Sequence, residues 1–139
     1  MAFAGINYLA VLIATVAGFA FGAAYYMTLS RPWLAAMGKT REQLSAEGKG
    51  SPMPFIVAIV ALVVMAWVLA GGIGHLGPGQ VTLRNGVISG AFMWLGFVIT
   101  TLAVNYAFGQ RRPMLTVIDG IHWLGVLVIQ GAIIGAMGV

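Results

Sequence analysis

Asp119 and His122 stand three residues apart in an otherwise apolar run, and no other pair in the chain offers as much chemistry. A carboxylate beside an imidazole can relay a proton or hold a cation, because histidine titrates near neutrality and the carboxylate supplies the next acceptor. If the run is helical, Asp119, His122, Val126 and Gln130 fall on one face at spacings of three, four and four. Thr101 and Asn105, four apart, share a face of the preceding apolar run, and Tyr26, beside Tyr25, closes the first one. At 1.5 Å per residue, Asp119 lies about 7 Å and His122 about 12 Å from the end of such a helix. Thr101, Asn105, Tyr25 and Tyr26 fall at similar depths, so a polar layer is expected toward one end of the molecule.

That layer has two possible uses. In the structural one, Asp119 pairs with Arg111, Arg112 or Arg31, while Asn105, Tyr26 and His122 satisfy one another and specify how helices pack. In the other, Asp119 and His122 line a wet cavity and pass protons, cations or small solutes. The structural use is favoured, because a transport path calls for more helices or an oligomer to enclose it. Catalysis fits worse. Ser89 belongs to a different helix near the opposite surface, so a Ser-His-Asp triad cannot close. A metal needs three or four ligands and only Asp119 and His122 are neighbours. His75, alone in a glycine-rich loop, reads as a surface residue, and one axial His122 is a thin basis for haem. No catalytic residue, metal or cofactor is expected. The chain has no cysteine, which excludes disulfides and thiolate sites.

The elements that must position these residues follow from composition. Of the 139 residues, 60% are hydrophobic and 7% charged, far below the roughly 25% charged residues of a soluble domain, and mean hydropathy is +0.98. The solvent for this surface is lipid, and residues 1–139 make a single integral membrane domain. Four apolar segments, Ile6 to Met27, Met53 to Ile73, Gly86 to Phe108 and Met114 to Met137, are each long enough to cross a core about 30 Å thick as a helix. The expectation is all-α, a four-helix transmembrane bundle. The first segment lacks a basic n-region and exceeds a signal-peptide core, so it reads as a retained helix.

The net charge of +4 lies in short loops, which explains it by membrane orientation and argues against nucleic acid. Arg31, Lys39, Arg41, Lys49, Arg111 and Arg112 fall on one side and Arg84 on the other, so the basic side is expected in the cytoplasm and both termini outside. Thr40 with Gln43 matches a capping box, which predicts a short amphipathic cytoplasmic helix from about Arg41 to Glu47 between the first two spans, with Arg31 and Trp33 as interface anchors before it. Small residues recur every fourth position at Ala10, Ala14, Gly18 and Gly22, and again at Gly131 and Gly135. Such stripes admit close helix approach, from within the chain or from a second copy. The function expected on these grounds is a non-enzymatic packing, scaffold or accessory subunit of a bacterial inner membrane, associating as a homo-oligomer or with a membrane partner.

The ordered set Asn7-Tyr8-Leu9-Ala10-Val11-Leu12, Gly22-Ala23-Ala24-Tyr25-Tyr26, Arg31-Pro32-Trp33 with Met37-Gly38, and Thr100-Thr101-Leu102-Ala103-Val104-Asn105-Tyr106 leads into a basic turn and the Asp119/His122 helix. Together these resemble the bacterial membrane family known as domain of unknown function 1761, over essentially the whole chain. The resemblance implies a four-helix inner-membrane protein and brings no activity, substrate or catalytic residue with it.

Overall fold

Asn7 starts the first span by accepting a hydrogen bond from the Ala10 amide at 3.2 Å, which satisfies one of the free donors at a helix start. From there the computed structural model, which describes residues 5–138, is all-helical, with no strand among the described residues. Helix α1 is Tyr8–Thr28, α2 Ser30–Met37, α3 Arg41–Gly48, α4 Met53–Gly74, α5 Leu83–Met93, α6 Ile99–Phe108 and α7 Pro113–Met137. A single π turn, Trp94–Val98, joins α5 to α6, so the two form one span, Leu83–Phe108. This span, α1, α4 and α7 are each long and apolar enough to cross a membrane.

Local chemistry sets the boundaries. Thr82 accepts from the Asn85 amide at 3.1 Å to begin α5, and Pro113 sits at the start of α7, where a missing N–H does no harm. The capping box of α3 is complete, with both Thr40 and Gln43 side chains engaged, and the helix runs as expected to Gly48. Residues 30 to 37 depart from expectation. The segment read as loop anchors around Arg31 and Trp33 is a helix, ended by Gly38 in the left-handed region at φ 71°, a conformation glycine adopts without steric cost.

The spans alternate in direction around α7. Half of the most apolar stretch of α7 is buried, against 6% for the Leu83–Phe108 span, so α7 is the hub and the third span the outermost. Lipid tails give helices no hydrophobic reason to associate, so close van der Waals approach must hold them. Gly86 and Gly90 face α7 so tightly that a β-carbon at Gly86 would stand 1.9 Å from the Gly131 carbonyl oxygen. One at Gly135 would stand 2.2 Å from the Thr82 oxygen. The α1 stripe packs inward too. Ala14 is fully buried, Gly18 lies against Leu62, Val126 and Gln130, and Gly22 against His122. Both stripes therefore find their partners inside the chain.

The two ends of the molecule differ. At one, Asn7 donates to the Met137 carbonyl and ties α1 to the end of α7. At the other, α2 and the start of α7 make a small cluster of Ala36, Leu115 and Ile118, with Tyr25, Tyr26, Trp33 and Tyr106 packed around it. Arg112 reaches across to donate to the Ala35 carbonyl, fixing the α6–α7 turn to α2.

Candidate functional site

One turn of α7, residues 118–120, gathers donors from two other spans. Tyr25 of α1 donates to the Ile118 carbonyl at 2.6 Å, and Trp94 of the π turn donates its indole N–H to the Gly120 carbonyl at 2.7 Å. Between them, the Asp119 carboxyl takes one hydroxyl on each oxygen, Tyr26 of α1 at 2.6 Å and Tyr106 of α6 at 2.6 Å. Asp119 is 8% exposed. A buried carboxylate is an acceptor on both oxygens, and here both are met by donors that reach in from opposite sides.

This arrangement corrects the expected partners of Asp119. No arginine reaches it. Arg112 is held by Ala35, and among the described residues the ion pair present is Lys39 with Glu47. Tyrosine does what arginine was expected to do because its hydroxyl stands at the end of a rigid apolar ring, which can cross hydrocarbon without carrying a charge into it.

His122, 7% exposed, sits one turn further along in an aromatic box. Its ring lies 4.8 Å from Tyr26, 5.6 Å from Tyr25 and 4.6 Å from Trp123 between centroids, and it stacks on Phe21 at 6.1 Å. Gly22 makes the room, since a β-carbon there would stand 2.9 Å from Nε2. Among the described residues His122 Nδ1 is buried without a hydrogen-bond partner, so the expectation that Asn105, Tyr26 and His122 satisfy one another does not hold. Tyr26 touches both polar residues, its ring against the imidazole and its hydroxyl on Asp119.

The remaining candidates are dispersed. Gln130 is fully buried but belongs to another level, about 16 Å along α7 from Asp119, where its amide donates to the Leu62 carbonyl at 3.1 Å and ties α7 to α4. Thr101 and Asn105 are exposed on the outer side of α6, and Thr101 donates back to the Phe97 carbonyl at 2.5 Å. The π turn explains their displacement. At about 100° per residue an unbroken helix would aim Thr101 and Asn105 within roughly 60° of Gly90 and Tyr106 about 160° away. One inserted residue turns everything after it back by a step. Leu102 and Tyr106 then occupy the places that Thr101 and Asn105 would have held. The sequence signal for Tyr106 is its sixteen-residue offset from Gly90, legible only if the insertion is known.

A cavity of about 320 Å³ opens between α1 and the first half of α4 and reaches His122 and Trp123. Its walls, among them Gly18, Phe19, Phe55 and Leu62, are apolar. A second hollow of about 530 Å³ shares Ala23, Tyr26 and Phe55 with the first and continues to α2 and α3, where Ser30, Trp33 and Arg41 line it. No cluster of three or more histidine, aspartate or glutamate side chains able to hold a metal occurs among the described residues.

A family model described as protein of unknown function, DUF1761, matches residues 9–135. The chain belongs to this family. The matched stretch takes in every residue of the Asp119 clasp, so the clasp of this DUF1761 protein lies inside the family's domain. No curated protein and no solved structure matches the chain.

Proposed function

We propose that this DUF1761 protein is a non-enzymatic scaffold or accessory component of the bacterial inner membrane. The observation that carries the reading is the closure of Asp119 by Tyr26 and Tyr106. The buried carboxylate joins α1, α6 and α7, and the cavity that reaches His122 has apolar walls. Six of the seven cationic residues lie between the spans at the Asp119 end, two of them in α2 and α3, which supports a cytoplasmic basic end and outward termini, with α3 on the cytoplasmic side.

Association with a second copy runs through the outer face of the third span. Both small-residue stripes are occupied within the chain, whereas Phe97, Thr101, Asn105 and Phe108 are exposed along α6 and the π turn. An asparagine amide and a threonine hydroxyl facing lipid can bond across an interface. Chemical crosslinking and native mass in nanodiscs test this. Wild type is expected as an oligomer that Asn105→Leu with Thr101→Leu converts to monomer, and a wild type that is monomeric in the bilayer would sink the reading.

A second reading, movement of protons, cations or small solutes, is favoured by one feature: His122 Nδ1 lacks a partner beside Tyr26 and Asp119. It requires a pH-dependent flux in proteoliposomes that Asp119→Asn abolishes while the protein still folds.

A further inference from the structure

We infer that the groove running from His122 to Arg41 holds an anionic phospholipid from the leaflet at the basic end, one acyl chain inside the cleft and the phosphate at Arg41. The two hollows adjoin, with Ala23, Tyr26 and Phe55 lining both, and the polar groups lie in the one nearer the basic end, the order of a lipid. The inner part, between α1 and α4, is apolar. The outer part keeps apolar walls at Met27, Leu34 and Leu44 and adds Ser30, Trp33 and Arg41, a hydroxyl, an indole and a guanidinium, the groups that meet a headgroup.

Depth agrees with this occupant. His122 lies about 14 Å along α7 from Pro113 at 1.5 Å per residue, close to the roughly 15 Å of a single leaflet's hydrocarbon. Size argues against a helix. A helix with its side chains is about 10–12 Å across, and an inner cavity of about 320 Å³ admits a chain but not a rod of that width.

Charge selects the head. Lys39 is engaged by Glu47 at 2.5 Å, whereas among the described residues no carboxylate pairs with Arg41. Arg41 is also the first residue of α3, where the free amides of the first turn favour an anion beside it. Glu42, the carboxylate in that turn, is exposed and does not line the groove.

The test uses the full chain in nanodiscs of equal phosphatidylglycerol and phosphatidylcholine with identical acyl chains, followed by native mass spectrometry of the lipid each protein retains. Wild type is expected to keep at least fivefold more phosphatidylglycerol than phosphatidylcholine. Arg41→Gln should bring that preference below twofold. Ala58→Phe, which places a ring in the inner cleft, should cut retention of both lipids at least fivefold at an unchanged melting temperature. Equal retention of the two lipids by wild type overturns the assignment, as does a folded Ala58→Phe that retains lipid normally or changes oligomer mass instead, the sign of a second copy in the groove. If Ala58→Phe does not fold, Arg41→Gln decides alone, and an unaltered preference overturns it. Excess glycerol phosphate, the head without the tail, should displace nothing; displacement would identify a free phosphate site and refute the lipid.

Discussion

Toward its C-terminal end α7 meets the third span backbone to backbone, whereas about three turns earlier the same two helices are joined through long side chains. At the first place Gly131 and Gly135 face Gly86 and Thr82 with no room for a β-carbon. At the second, Tyr106 and Trp94 reach across to residues 118–120, and Tyr25 and Tyr26 do the same from α1. The contrast locates the site. Where backbones touch, dispersion holds the helices and nothing else fits between them. Where they separate, polar side chains can enter, and the cavity between α1 and α4 reaches α7 at His122 on the same side, so the candidate chemistry and the cavity occur together toward the basic end.

Breaking the tight end should cost most. Gly131→Leu puts a side chain where even a β-carbon would lie 2.1 Å from the Gly86 oxygen, and backbone rather than a flexible tip must move. The expected loss is roughly 3 kcal/mol, read as a lowered melting temperature in detergent and loss of a monodisperse peak. Gly96 supplies the control, because a β-carbon there meets nothing within 4 Å, and Gly96→Ala should melt like wild type. Equal behaviour of the two variants would mean the glycine contact does not hold the spans.

Breaking the open end should cost less. Asp119→Ala strands two half-buried tyrosine hydroxyls, an expected loss of about 2 kcal/mol. Tyr106→Phe removes one of the two bonds and should cost about 1 kcal/mol, in keeping with the modest worth of hydrogen bonds between membrane helices. The two effects should not add, since Tyr106→Phe in an Asp119→Ala background has no bond left to remove. Additive losses in a double-mutant cycle by reversible unfolding would show that Tyr106 acts through packing alone.

The same contrast marks what could be read from the residues. The four spans were legible because continuous apolar runs of about 20 residues have few other uses, and α3 because Thr40 and Gln43 form a local motif that needs no tertiary context. The shared face of Asp119, His122, Val126 and Gln130 follows from helical periodicity, and all four are buried. Helix α2 was hidden because Arg31, Pro32 and Trp33 suit a membrane surface whether coiled or helical. The partners of Asp119 were hidden for a different reason. Periodicity carried across residues 94–98 without interruption points Thr101 and Asn105 inward, and nothing in Trp94-Leu95-Gly96-Phe97-Val98 announces an extra residue.

The smallest expected effect therefore tests the sharpest part of the comparison. If the π turn exists to aim Tyr106 at Asp119, deleting Gly96 should be nearly silent. The deletion removes the insertion itself, converts the span to regular helix, and leaves Leu102 and Tyr106 at the angles they already hold, about 100° having been removed from both sequence and structure. Deleting Ala103 instead leaves the turn intact and rotates all that follows by that step, which brings Ala107 opposite Asp119 and carries Tyr106 away. The first variant should keep its energetic coupling to Asp119 and melt close to wild type. The second should lose the coupling and at least the roughly 1 kcal/mol of the missing hydroxyl bond. Equal damage from both deletions would separate the π turn from the clasp and leave its origin in the Trp94 contact with Gly120.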